Sequence, residues 1–273
     1  MPLRLPSFRS PPVVETALSV QFKPLSKFTN AYLGLFWATL RAEFPEKTDA
    51  DPIEPQTERF GAEAARQPRL PSFRFVTSQA AVRLQMASIK GDTMIQVQNG
   101  RLVFNWRRLH DDTYPRWQEV RPAFDVALTR LGKFLEGEGL GEIQPNQWEV
   151  TYVNHLRHGR EWTSQGELDQ VVPGLIGTGV RPLIGIVESL GCNWRLSLPE
   201  ERGRLHIDLN HGYLGTEESA QEVIVLQLTA RGGVEPDKGW DLSEGLQLGR
   251  NAIVRTFDAI TGPGMHILWG KET

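Results

Sequence analysis

Apolar and polar positions alternate through "VVETALSVQF", residues 13–22. Val14, Thr16, Leu18, Val20 and Phe22 point one way, and Glu15, Ala17, Ser19 and Gln21 the other. A period of two predicts a strand with one buried face. Pro11 and Pro12 have no N–H to give to a ladder, so pairing is expected to begin after them. The period lengthens in "SKFTNAYLGLFWATLRAEFP" to a helical stripe of Phe28, Tyr32, Leu35, Phe36, Leu40 and Phe44, with Ser26 or Thr29 as cap and Pro45 as stop. Residues 45–71 are rich in proline and charge, with only Ile53, Phe60 and Leu70 as large apolar groups. They are expected to form a long mobile surface loop, cut first by trypsin near Arg59, Arg66 or Arg69.

Three strands follow, "SFRFV", "AVRLQMASI" and "DTMIQVQNGRLVFNWRR". Asn99-Gly100 predicts a two-residue type I′ turn that sets Val97 against Leu102 and Ile95 against Phe104, with Trp106 on the same face. "DDTYPRWQEVRPAFDVALTRLGKFLEGEG" is a long helix with the stripe Trp117, Val120, Phe124, Leu128, Leu131 and Leu135. Asp112 or Thr113 would cap it and Pro115 suits its first turn. Pro122 removes a helical hydrogen bond.

The second half repeats the order. "QWEVTYVNHL" is a strand, a loop with one short helix follows, and "RPLIGIVESL", "NWRLSL", "GRLHIDLNHGYL" and "VIVLQLTAR" are strands. "DLSEGLQLGRNAIVRTFDAI" is a helix opened by an Asp241-x-x-Glu244 box. The pattern predicts an α+β protein of two similar lobes, 1–140 and 141–273, each an antiparallel sheet packed against a long helix.

Composition narrows the setting. A net charge of −3 gives no global positive field for nucleic acid, which is not expected as a partner. Cys192 is the only cysteine, so no internal disulfide forms, and it reads as a small half-buried hydrophobe. No apolar run approaches the roughly 20 residues that span a bilayer, and the expected location is the cytoplasm.

Motifs with sharp mechanics are missing: GxxxxGK[ST], GxGxxG after a strand, GxSxG, HExxH and CxxC. No catalytic residue and no cofactor is assigned. In "RLHIDLNHGYL", His206 and Asp208 share the polar strand face at a spacing that lets two side chains reach one ion. With His155 and Glu149 they form the candidate metal or small-ligand set. The His110-Asp111 doublet of "LHDD" reads as a strand-to-helix loop. Of the eight tryptophans, Trp106, Trp117, Trp148 and Trp194 fit the core pattern. Trp37, Trp162, Trp240 and Trp269 lie at element edges or in loops and are candidate interface anchors.

"PPVVETALSVQF", "LPSFRF", "LVFNW" running into "YPRWQEVRPAF", and "GRNAIVRTFDAIT" resemble a sporadically distributed, uncharacterised prokaryotic family of about this length that opens with a Pro-Pro-aliphatic-x-Glu strand. The resemblance assigns no catalytic residues, and its patchy distribution implies a mobile-element or antiviral-defence setting. Glu15 matches the family's acid and is read as a structural polar contact, to backbone N–H groups or an Arg of the other lobe. Two functions follow as expectations. The first is a non-catalytic, protein-binding accessory or regulatory subunit, its partner another protein or a second copy in a homo-oligomer. The second is a metal- or small-ligand-dependent enzyme or binder with its site between the lobes.

Overall fold

The strand read at the start of the chain is the middle of the molecule. In the computed structural model, which describes residues 4–61, 81–109, 113–164, 167–173, 189–216 and 219–272, the sequence Val13–Phe22 forms β2 after a two-residue β1, Ser7–Phe8. Thr16, Leu18, Val20 and Phe22 of β2 are buried against the core. The first half continues with α1 (Asn30–Leu40), β3 (Glu46–Ala50), β4 (Arg83–Ala87), β5 (Thr93–Gln98), β6 (Arg101–Arg107) and α2 (Trp117–Gly137). The second contains β7 (Pro145–Arg157), α3 (Leu168–Val171), β8 (Gly191–Ser197), β9 (Arg204–Leu214), β10 (Gln221–Gly233), α4 (Leu242–Ile260), α5 (Pro263–Leu268) and β11 (Lys271–Glu272).

The protein is α+β, with one nine-stranded antiparallel sheet in the order β3-β4-β5-β6-β2-β7-β10-β9-β8. It is one continuous sheet rather than two, because β2 and β7 hydrogen-bond to each other across the middle. From that central pair β6, β5, β4 and β3 run outward on one side, and β10, β9 and β8 on the other. Helix α1 lies on β4 and β5, α2 on β6 and β2, and α4 on β10, β7 and β9. The small β1–β11 pair ties the two ends of the chain together, and buries Phe8 against Phe257 and Trp269. No described helix is long and apolar enough to cross a membrane.

Under α4 the packing is unusually close. The Trp148 side chain of β7 is 1% exposed, and it lies against Gly203, Gly232, Gly245 and Gly249. A Cβ on Gly245 would stand 2.2 Å from the indole, and one on Gly249 2.6 Å. Two glycines four residues apart clear one stripe of α4, although each weakens a helix interior by roughly 1 kcal/mol. Asp241 caps that helix, its carboxylate accepting from the Glu244 N–H at 2.7 Å.

The β5–β6 register is the one read from the sequence, with Val97 opposite Leu102, Ile95 opposite Phe104 and Thr93 opposite Trp106. The turn differs. Only Gly100 has positive φ (+96°), so this is not a type I′ turn. The Asn99 amide instead bonds the N–H and the carbonyl of Leu25, at 2.8 and 2.9 Å, and so pins the segment that leads to α1. A Cβ at Gly100 would meet Pro24 at 3.3 Å. Gly100→Val is therefore expected to destabilise by about 1–3 kcal/mol, read as a lower melting temperature; an unchanged one would mean that this turn carries no strain.

Other expectations change. Residues 46–50 are a strand, not loop, since their N–H and C=O groups pair with β4. Helix α2 starts at Trp117, after Arg116 in an extended conformation of positive φ (φ +72°, ψ 166°), so Thr113 and Pro115 lie before it. The expected strands "SFRFV" and residues 181–188 of "RPLIGIVESL" lie outside the described residues, as do His110, Asp111, Asp112, Arg66 and Arg69.

Candidate functional site

On the face away from the helices, the period of two brings polar residues into rows. One row is a chain of amides: the Asn105 amide donates to Glu15 at 2.6 Å, Gln96 to Asn105 at 2.6 Å, and Gln85 and Arg83 to Gln96 at 3.0 and 2.8 Å. Glu15 therefore makes a structural polar contact, with a side-chain amide of β6 in place of the backbone N–H or arginine expected.

The second row carries charge. Arg101, only 3% exposed, donates to Gln21 at 2.9 Å and lies 3.8 Å from Glu149. Glu149 is 3.3 Å from Arg231 on its other side. Arg231 of β10 faces Arg204 of β9 in register, with His206 next on the same face.

Residues 51–61 lie across this face as a strap. Gln98 of β5 accepts from the Ile53 N–H at 2.8 Å and donates to its carbonyl at 2.9 Å. Gln21 of β2 accepts from the Gln56 N–H at 3.0 Å, and Gln147 of β7 from the Glu58 N–H at 3.3 Å. The Glu58 carboxylate then meets His206 at 2.7 Å, Arg231 at 2.9 Å and Arg204. Arg204 also donates to the Arg59 carbonyl at 3.0 Å and stacks on the Phe60 ring at 4.6 Å. From β5 to β9 is five strand spacings, roughly 24 Å. Six extended residues span roughly 20 Å, and the side chains reach the rest, so the strap crosses the strands fully drawn out. It covers Gln21, Gln98 and Gln147, which are buried although they point away from the core.

The electrostatics favour an anion here. Burial pushes the Glu58 carboxyl up, but the His206 hydrogen bond and the charges of His206, Arg231 and Arg204 outweigh it and hold it below its ordinary value. Burial, with Arg157 adding to it, lowers His155.

Glu149, His155, His206 and Asp208 all lie on this face, but they are not one cluster. Glu149 works with the arginines and His206 with Glu58, while register sets His155 opposite Val225 and Asp208 opposite Gln227. Among the described residues no group of three or more His, Cys, Asp or Glu could hold a metal. The tryptophan anchors need correcting too. Trp162 and Trp269 are 3% and 0% exposed, with their indole N–H groups given to Leu156 and Glu161, so neither can anchor a partner. Trp37 is half-buried, bonds the Phe44 carbonyl and lies under Lys47. Trp240 is half-buried between Arg202 and Lys238.

Comparison with known proteins returns no matching family model, no matching curated protein and no matching solved structure. The family resemblance thus rests on its motifs alone, and function has to be argued from the geometry.

Proposed function

We propose that the protein is a non-catalytic interaction protein, an accessory or regulatory subunit, whose polar sheet face binds an extended acidic segment of another protein. The observation that carries this reading is the strap itself. Glutamine side chains hold its backbone at three points, and two arginines and a histidine converge on its one inward carboxylate. That is recognition of an extended acidic peptide, made within the chain.

The strap is suited to exchange. Glu54, Pro55, Gln56, Thr57 and Arg59 are exposed, so it buries little apolar surface. Its polar contacts are worth about 0.5–1.5 kcal/mol each. A tethered segment competes at an effective concentration in the millimolar range, so only a partner with a better-fitting acidic segment displaces it. The defence-associated setting rests on the resemblance alone.

We also propose that the chain is built of two similar units, residues 1–140 and 141–273. In support, each half places its first long strand centrally, follows it with its last, and runs outward from there. The strap starts in the first unit and reaches Arg204 and Arg231 of the second.

Affinity capture from source cells tests the reading, with the full chain compared against the Arg204→Gln/Arg231→Gln variant. The expected result is a protein retained by the first and lost by the second, cross-linked to the polar face through an acidic stretch. The same proteins captured by both would contradict it.

A further inference from the structure

On the opposite side of the sheet a cavity of about 460 Å³ opens between the start of α2, the middle of α4 and the β1–β11 pair. That volume is within the about 300–1,000 Å³ of small-molecule sites. Phe8, Trp117, Leu228, Ile253 and Phe257 give it apolar walls. Tyr114, Tyr152, Asn154 and Arg250 are among its polar groups, with Ser7, Arg116, Gln118 and Glu272 completing the polar lining.

Two of these groups each keep one buried polar atom without a hydrogen-bond partner among the described residues. Asn154 is 1% exposed and donates its amide to the Leu226 carbonyl at 3.0 Å, which leaves its buried oxygen unpaired. The Arg250 guanidinium touches the Tyr152 hydroxyl and lies 5.8 Å from the centre of the Trp117 ring, yet its buried Nε has no acceptor. No carboxylate among the described residues pairs with Arg250. Tyr114 donates to Tyr152 at 3.0 Å. Burial, with the Tyr114 neighbour adding to it, keeps Tyr152 well above its ordinary value, so both phenols stay neutral. The second cation, Arg116, is engaged in holding Ser7 and the Arg9 carbonyl, at 3.4 and 3.3 Å, and so fastens β1 over the cavity. A half-buried cation on an apolar wall without a counter-ion is costly unless an anion joins it.

We propose that this cavity binds a small amphipathic monocarboxylate, its carboxylate on Arg250 and its apolar body between Phe8, Trp117, Ile253 and Phe257. The Tyr152 and Asn154 side chains, two positions apart on one strand face, are roughly 7 Å apart. They orient the head group, and the unpaired Asn154 oxygen is left for a hydroxyl or N–H beside the carboxylate. The site shares no residue with the strap face, and stands or falls independently of the function proposed for it.

Calorimetric titration of the full chain with octanoate and with octan-1-ol is the test. Octanoate is expected to bind at least about tenfold more tightly than the alcohol. Arg250→Met, which keeps an apolar stem, should weaken octanoate by about ten- to a hundredfold and leave the alcohol unchanged, the scale of one lost charged hydrogen bond. Ile253→Trp, which fills the cavity, should remove both. The proposal is overturned if wild-type protein holds octanoate no better than the alcohol, if Arg250→Met leaves octanoate binding unchanged, or if binding survives Ile253→Trp.

Discussion

Trp148→Ala is expected to cost about 3–5 kcal/mol, the range for removing a fully buried large aromatic side chain. The indole fills a slot that four glycines shape, on β10, in the turn before β9 and on α4, and its loss leaves a cavity that this rigid frame cannot close. Thermal unfolding should show a drop on the order of 10 °C. Gly249→Leu should destabilise the same contact from the other side, since its first side-chain carbon already meets the indole at 2.6 Å. The double variant should be more stable than the sum of the two changes predicts, because the leucine then enters the space the indole has left. A loss below about 1 kcal/mol for Trp148→Ala would mean that α4 does not pack on β7 as described.

The second large effect is release of the strap. Glu58 has a lowered value when docked, with burial opposing and His206, Arg231 and Arg204 prevailing. A carboxylate with a depressed folded value stabilises the docked state fully above its ordinary value, and loses that contribution as pH falls through the lowered one. Docking should hold across neutral and mildly acid pH and fail only below the usual carboxylate range. Amide hydrogen exchange at Ile53, Gln56 and Glu58 reads this directly, because glutamine side chains hold those three N–H groups. Glu58→Gln should lower their protection by about tenfold at neutral pH and abolish its acid dependence. Tenfold is the low end for a charged hydrogen bond, chosen because Arg204 and Arg231 are 20% and 15% exposed and partly screened. Protection that is unchanged in the variant would show that Glu58 does not hold the strap.

Much of the frame was legible because it is local. The register of β5 and β6, the Trp117–Leu135 stripe, the α4 cap and the core-facing row Thr16, Leu18, Val20 and Phe22 of β2 each follow from residues a few positions apart. The strap was not. Its composition reads as mobile loop, since it has too little apolar surface to order itself, and what orders it is Gln21, Gln98 and Gln147, on strands far away in sequence. Those glutamines occupy the outward phase of their strands, but nothing in the sequence says which segment passes over them. The same limit hid the fate of the tryptophans. Trp269 follows a short helix near the chain end and reads as peripheral; it is buried because β1 returns to pair with β11 beside it. Glu149 and His206 were singled out for their type and lie on this face, where Glu149 contacts Arg101 and Arg231 and His206 contacts Glu58.

The most direct test of the proposed function is to supply the strap from outside. In the Glu58→Ala chain the tethered strap loses its anchor, which leaves Arg204, Arg231 and His206 open to an added carboxylate. A fluorescent peptide with the sequence of residues 51–61, DPIEPQTERFG, should then bind saturably in an anisotropy titration. It should bind at least about tenfold more weakly when its second glutamate is replaced by glutamine, and more weakly to the wild-type chain, whose own strap is in place. No saturable binding, or equal binding of the two peptides, would contradict a sheet face built to hold an extended acidic segment.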